Sequence, residues 1–153
     1  MSEPAYISVI GTGEADAEQY ESAREVGRLV AERGGVVVCG GRGGVMEAAA
    51  RSASEACGAC IGILPDEDRS QANPYLTYSL VSGIGQARNL AVACSGEAVV
   101  AVGGGYGTLS EIGLARRFGR PVVTLDSWEL PGHVTVAESP AGAVEAAFDL
   151  AGR

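Results

Sequence analysis

Short apolar runs that end directly in glycine constrain this chain more than any other feature of its sequence. Three such runs lead into glycine-rich loops: Tyr6–Ile10 before Gly11–Gly13, Val36–Cys39 before Gly40–Gly44, and Ala98–Val102 before Gly103–Gly107. They are apolar at nearly every position, which is typical of parallel strands covered on both faces. Segments with helical periodicity separate them. The sequence therefore predicts an α/β fold, a single Rossmann-like doubly wound parallel sheet flanked by helices.

The other predicted elements continue this alternation. Helices are predicted at Ala17–Arg33, Val45–Glu55, Ile84–Cys94, Leu109–Phe118 and Pro140–Leu150, and further strands at Ala59–Leu64, Leu76–Val81, Pro121–Leu125 and His133–Ala137. Gly34 and Gly35 end the first helix, and Ser139 followed by Pro140 begins the last. The chain has 153 residues and no linker-like or low-complexity segment, so residues 1–153 are predicted to form one domain.

Charge and residue usage exclude several classes of protein. The chain carries 19 acidic and 11 basic residues, and every basic residue is arginine. A net charge of −8 repels a nucleic-acid backbone, so no nucleic-acid partner is expected. P-loop NTPases, Schiff-base enzymes and PLP enzymes are excluded because each needs a lysine. The sequence shows neither a membrane-spanning stretch nor a signal peptide, so we expect a cytoplasmic protein without a membrane partner.

The glycine loops predict a phosphate site. Ligands of doubly wound sheets bind beyond the carboxyl ends of the strands, where a helix that begins offers free N–H groups. The predicted binding residues of the three loops are Gly11, Gly13, Gly41, Arg42, Gly43, Gly44, Gly104, Gly105, Tyr106, Gly107 and Thr108. The alternative is that these glycines only make tight turns. A dinucleotide site is disfavoured, because Asp16 stands where the GxGxxG fingerprint needs its last glycine.

Two further side chains are predicted to belong to this site. Arg88 offers bidentate pairing with a phosphate, or it is an ordinary solvated helix residue. Glu111 has two compatible interpretations. In the first, Thr108-Leu109-Ser110-Glu111 is a capping box, in which Glu111 accepts a hydrogen bond from the Thr108 amide. In the second, its carboxylate binds sugar hydroxyls or stabilises an oxocarbenium-like transition state.

The cysteines and the single histidine do not predict a metal site. Cys57 and Cys60 form a CxxC motif without a second pair, which is at most half of a zinc site, and a structural role is expected for them. Cys39 and Cys94 are predicted to be core residues. His133 begins an apolar run, so a packing or surface role is expected for it rather than catalysis.

Three motifs together resemble a known superfamily. Gly103–Glu111 (GGGYGTLSE) resembles the PGGxGTxxE motif of the "lonely guy" (LOG) phosphoribohydrolases, and is closer to the GGGxGTxxE of the molybdenum-cofactor-carrier-like subgroup. Gly40–Met46 is similar to the GGGxxGLM segment of the same superfamily. Arg88 lies fifteen residues before Gly103, the spacing at which the family's MHxRK motif places its arginine. The departures are Gly103 for the family's proline, and Gly85, Gln86 and Asn89 for the Met, His and Lys of MHxRK.

The resemblance implies a homodimer or larger homo-oligomer and two alternative functions. The first is a binding or carrier protein for a phosphorylated nucleotide-like ligand, either molybdenum cofactor or a nucleoside monophosphate, that requires no cofactor of its own. The alternative is a LOG-type phosphoribohydrolase that cleaves nucleoside 5′-monophosphates to free base and ribose 5-phosphate. In that enzyme Arg88 and Glu111 would be the catalytic residues. A nucleotide-sensing module that acts with another protein is a third hypothesis.

Overall fold

A computed structural model describes residues 2–153, and within them one sheet of seven parallel strands forms the centre of the molecule. The strands are β1 (Tyr6–Gly11), β2 (Val36–Cys39), β3 (Cys60–Leu64), β4 (Tyr78–Val81), β5 (Ala98–Val102), β6 (Val122–Leu125) and β7 (Thr135–Ala137). The helices are α1 (Ala17–Glu32), α2 (Val45–Glu55), α3 (Asn89–Ser95), α4 (Tyr106–Arg117) and α5 (Pro140–Leu150). The predicted Rossmann-like α/β fold is confirmed.

The order of the strands places a crevice at the middle of the sheet. This order is β4-β3-β2-β1-β5-β6-β7, so the chain winds outward from the centre in both directions. Helices α1, α2 and α5 cover one face of the sheet, and α3 and α4 cover the other. The segments that follow the neighbouring strands β1 and β5 therefore leave towards opposite faces. Such a switch point is where ligands bind in doubly wound sheets.

Burial on both faces explains why the inner strands are apolar. Every residue of β5 is buried, and so is every residue of β6. Ser8 is the polar exception in β1, and its hydroxyl donates a 2.6 Å hydrogen bond to the Val92 carbonyl oxygen. At the edge of the sheet β4 is different, since Tyr78 and Leu80 are 63% and 53% exposed. No helix of residues 2–153 combines the length and the apolar character needed to cross a membrane.

The ends of the first and last helices agree with their capping signals. Asp16 caps α1 by accepting a 2.8 Å bond from the Gln19 amide, and the Gln19 side chain accepts in return from the Asp16 amide. Gly34 follows the helix with a φ of 76°. Ser139 caps α5, and Pro140 is the first residue of that helix, as predicted. The Asp16 cap fixes where the loop after β1, which borders the central crevice, ends.

Two predicted helices were wrong in their boundaries. The segment Ile84–Cys94 is not one helix, because a single 3₁₀ turn at Gly85–Arg88 precedes α3. Helix α4 begins at Tyr106 rather than at Leu109, because the Gly105 carbonyl already accepts the bond from the Leu109 amide. The glycine pattern that indicated a loop thus continues into the first helical turn. The strands differ from prediction by two residues or fewer at each end.

Candidate ligand-binding site

A polar pocket of about 250 Å³ lies at the switch point between β1 and β5. Four segments contribute to it, namely the loop after β1, the beginning of α2, the turn before α3 and the beginning of α4. Its lining residues are Gly11, Thr12, Gly13, Met46, Gln86, Arg88, Asn89, Gly105, Gly107, Thr108 and Glu111. The pocket therefore brings together seven predicted site residues: Gly11, Gly13, Arg88, Gly105, Gly107, Thr108 and Glu111.

The loop Gly103–Gly105 presents the beginning of α4 to this pocket. Gly104 has a φ of 103°, and a Cβ built there would lie 2.1 Å from the Thr108 hydroxyl oxygen, so only glycine fits. Gly105 stands at the N-cap of α4 and has no side chain with which to satisfy the first-turn amides. These N–H groups and the positive end of the helix dipole are available to an anion.

Glu111 lies in the second turn of α4, and the capping-box interpretation of this residue is wrong. The N-cap of the helix is Gly105, not Thr108, so Glu111 is not at the position from which a capping box closes. The residue is instead 7% exposed and lines the pocket. Burial raises the pKa of its carboxyl group from the ordinary 4.5 to about 7, and the positive charge of Arg88 opposes that rise. Glu111 is therefore poised to exchange a proton near neutral pH.

Arg88 is buried, which rules out the alternative of a solvated helix residue. It is 8% exposed, and its Nη1 donates a hydrogen bond to the side-chain oxygen of Asn89. Its Nε has no hydrogen-bond partner among residues 2–153. A Cβ at Gly40 would approach its Nη2 to 2.8 Å, so the glycine after β2 leaves the room that the guanidinium occupies. Burial lowers the pKa of Arg88, and the negative charge of Glu111 acts in the opposite direction.

The loop Gly40–Gly44 supports the pocket from behind. Its predicted binding residues Gly41, Arg42, Gly43 and Gly44 are not among the pocket's lining residues. Gly44 has a φ of 65°, and a Cβ there would lie 2.3 Å from the Thr12 carbonyl oxygen. This glycine lets the loop pack directly against the loop after β1. A contact of Arg42 with ligand stays a prediction, since its guanidinium faces Asp66 at 3.7 Å.

Asn73 is a positioning residue that sequence reasoning missed. Its side-chain nitrogen donates a 3.0 Å bond to the Arg42 carbonyl oxygen, and its amide donates a 2.9 Å bond to the Gly41 carbonyl oxygen. The residue is 8% exposed although it lies in a polar segment between β3 and β4. Four lining residues were also missed: Thr12, Met46, Gln86 and Asn89. Gln86 lies two residues before Arg88 and Asn89 one after it, and both occupy positions of the family's MHxRK motif, which is the signal that pointed to them.

Two predicted residues of the third loop, Gly104 and Tyr106, shape the loop from outside the pocket lining. Tyr106 is 83% exposed, and its ring lies 6.0 Å from the ring of Trp128. Trp128 donates a 3.0 Å bond from Nε1 to the Gly105 carbonyl oxygen, and Ser127 donates a 2.6 Å bond to the Gly103 carbonyl oxygen. The segment after β6 thus fixes the glycine loop in place, so a direct role of Tyr106 in binding stays a prediction.

The cysteine pair of the CxxC motif is divided between surface and core. Cys57 is exposed and has a φ of 60°, whereas Cys60 is buried with its sulfur 3.8 Å from that of Cys39. Cys39 is a core residue as predicted, while Cys94 is only partly buried. Within the described chain no three or more His, Cys, Asp or Glu side chains are grouped as metal ligands would be.

The chain is similar in sequence and fold to known proteins. The model of the SLOG cluster4 family matches residues 4–149. An uncharacterized protein of Archaeoglobus fulgidus is 41% identical over 138 residues, which are 90% of this chain and 91% of that protein. The molybdenum cofactor binding protein of the phototrophic bacterium Rippkaea orientalis superposes with a TM-score of 0.92 at 34% identity, over 98% of this chain and 99% of that one. The molybdenum cofactor carrier protein of Chlamydomonas reinhardtii gives 0.90 at 34% identity, over 99% and 100%.

Proposed function

The chain belongs to the SLOG cluster4 family, and we propose that it binds or carries a phosphorylated, nucleotide-like small molecule. Its likeness to molybdenum cofactor carriers supports a ligand-binding or carrier role in general. Molybdenum cofactor, whose pterin bears a phosphate, is the first candidate for the ligand, and a nucleoside monophosphate is the second. Both candidates combine an anionic end with a flat heterocycle.

The observation that carries this proposal is the buried arginine beside an uncapped helix. Burying a cation without full pairing is costly, and the Arg88 Nε lacks an acceptor within the described part of the chain. The beginning of α4, with its first-turn amides, lines the same pocket through Gly105, Gly107 and Thr108. One phosphate group satisfies both, since its oxygens accept from a guanidinium and from helix N–H groups at the same time.

The remaining polar groups of the pocket then contact the other parts of the ligand. The Thr108 hydroxyl adds a donor beside the first-turn amides. Glu111 contacts a sugar hydroxyl or a polar edge of the heterocycle, as an acceptor when ionised and as a donor when protonated. A pKa of about 7 keeps both forms accessible at neutral pH. The second glycine loop supports the pocket without contributing to its lining.

Binding of molybdenum cofactor and of a nucleoside monophosphate panel, measured by titration calorimetry, tests the proposal. Arg88→Ala is expected to weaken binding of the phosphorylated ligand about 10- to 100-fold, the usual range for losing a charged hydrogen bond. Arg117→Ala is the matched control, since it removes the same charge from an exposed position at the end of α4. Equal affinities of the two variants would contradict the role given to Arg88.

Glu111 favours hydrolysis of the ligand as a second candidate function. A carboxyl group with a pKa of about 7 in a pocket beside an arginine suits general acid–base chemistry or stabilisation of a ribosyl cation. Incubation with nucleoside 5′-monophosphates would then release free base and ribose 5-phosphate, and Glu111→Gln would abolish release while leaving binding largely intact. Folded protein that binds ligand and releases no base would establish the carrier role instead.

A further inference from the structure

A chain of hydrogen bonds through Arg88, Asn89 and Gln86 determines which atoms one wall of the pocket offers to a ligand. Nη1 of Arg88 donates a hydrogen bond to Oδ1 of Asn89. Nδ2 of Asn89 in turn donates to Oε1 of Gln86 at 3.3 Å. All three residues line the pocket, but their burial differs. Arg88 and Asn89 are 8% and 4% exposed, whereas Gln86 is at the exposed end of the series.

The donor and acceptor ends of these hydrogen bonds follow from the chemistry of Arg88. A guanidinium only donates, so Asn89 must turn its amide oxygen towards it. The Asn89 nitrogen then faces Gln86, and since an amide nitrogen also only donates, Gln86 must meet it with Oε1. Reversing the Asn89 amide would set two donors against each other at a buried position, and reversing the Gln86 amide would leave the Asn89 Nδ2 facing a donor. Because Oε1 of Gln86 is engaged by Asn89, Gln86 presents the N–H groups of Nε2 to the pocket.

Gln86 and the beginning of α4 are on different segments of the pocket. The phosphate position proposed above lies between Arg88, the buried last residue of the 3₁₀ turn, and the first turn of α4, whereas Gln86 is an exposed residue earlier in that 3₁₀ turn. A ligand whose phosphate is held at the buried Arg88 extends its heterocycle towards the exposed part of the pocket lining. Gln86 is the one exposed lining residue with a side chain, since Gly13, Gly105 and Gly107 have none. The ring edge that meets Gln86 meets a hydrogen-bond donor.

We infer that Gln86 selects heterocycles with an oxo group, such as 6-oxopurines or 4-oxopteridines, over those that carry an amino group at the same position. This inference rests on the proposed function, because it requires the phosphate to be held at α4. An oxo group accepts from the Gln86 Nε2, whereas an amino group presents a second donor to it. Sites that hydrogen-bond a ligand group discriminate strongly against analogues that leave the site unpaired. We expect the oxo ligand to bind about 10-fold more tightly or better.

Inosine and adenosine 5′-monophosphates are the probes, with ribose 5-phosphate as a ligand without a ring. Calorimetric titration of the wild-type protein should show the inosine nucleotide bound about 10-fold more tightly than the adenosine nucleotide. In Gln86→Glu the carboxylate still accepts from Asn89 with one oxygen and offers the other as an acceptor, so the preference should invert. Gln71→Glu adds the same charge at an exposed position outside the pocket lining and should keep the wild-type ratio. The phosphate monoesters of 6-hydroxymethylpterin and of its 2,4-diamino analogue provide the same comparison for a pterin.

The outcomes separate this inference from the proposed function. Equal binding of the two nucleotides, with ribose 5-phosphate also bound, would refute the role of Gln86 and leave the phosphate site standing. A loss of ribose 5-phosphate affinity in Gln86→Ala would show that Gln86 holds the phosphate, and this would also overturn the inference. Failure of every phosphorylated probe and of molybdenum cofactor to bind would refute the proposed function, and the inference with it.

Discussion

The ionisation of Glu111 makes the stability of the fold depend on pH in an unusual direction. Most carboxyl groups in folded proteins have unchanged or lowered pKa values, so they stabilise the fold as pH rises. Burial raises the pKa of Glu111 from 4.5 to about 7. Between these two values the native state holds a proton that the unfolded chain has released. The free energy of unfolding therefore falls as pH rises from 4.5 to 7 and levels off above that range.

The size of this effect follows from the same two pKa values. A rise from 4.5 to about 7 corresponds to about 3 kcal/mol of stability lost between pH 4 and pH 8. Glu111→Gln replaces the carboxyl group by a neutral side chain of the same shape and should remove this dependence. The free energy of unfolding of the variant, relative to that of wild type, should therefore rise by about 3 kcal/mol between pH 4 and pH 8. All other residues should contribute the same pH dependence to both proteins.

Urea unfolding of both proteins at pH 4, 5, 6, 7 and 8 measures this difference directly. The relevant quantity is how the difference changes with pH, because the substitution also changes packing and hydrogen bonding in the pocket by an amount that does not depend on pH. Glu138→Gln, the same replacement at an exposed position outside the pocket, is the control for the substitution itself. A difference between Glu111→Gln and wild type that does not change with pH would refute the burial argument.

Two further predictions concern the glycine loop and the surface. Gly104→Ala should destabilise the fold by about 2 kcal/mol or more in urea unfolding, because its Cβ would collide with Thr108 at a positive φ. Gly107→Ala, where a Cβ meets open space inside α4, should be neutral or stabilising, and equal losses would contradict this reasoning. If the predicted homo-oligomer forms through the exposed face of β4, Leu80→Arg should reduce the mass measured by sedimentation. Leu150→Arg, which changes a similarly exposed leucine of α5, should leave that mass unchanged, and a wild-type monomer would contradict the prediction.

The sequence predicted the fold well because its strongest signals are local. Runs such as Ala98–Val102 are apolar on both sides because both faces of β5 are covered, and that requirement is visible in the residues themselves. The sequence pattern placed the beginning of α4 at Leu109, three residues after its position at Tyr106, because the glycines before Leu109 are typical of loops. Gly105 and Gly107 indicate a loop by composition, but the backbone amides of α4 need no side chain in order to form helical hydrogen bonds.

The interior of the site was harder to predict because it depends on contacts between distant segments. Asn73 lies in a polar stretch that indicates a solvent-exposed loop, yet two of its hydrogen bonds hold the loop Gly40–Gly44 some thirty positions earlier in the chain. Likewise, the pattern TxxE indicates a capping box until Gly105 is known to be the N-cap. Spacing along the chain cannot decide between these alternatives, since each is locally consistent.

Gln86 and Asn89 show how a departure from a motif acquires a physical meaning. The sequence alone shows only that the histidine and lysine of the related MHxRK motif are replaced by two amides beside a retained arginine. Once Arg88 is known to be buried with Asn89, the direction of both amides follows from which groups donate and which accept. A histidine can donate or accept and a lysine adds a charge, so the replacement leaves Arg88 as the cation of this wall and makes the side chain at position 86 a neutral donor. The retained arginine and the glycine loop thus bear on the proposed phosphate site, while the two amides bear on the choice of ring.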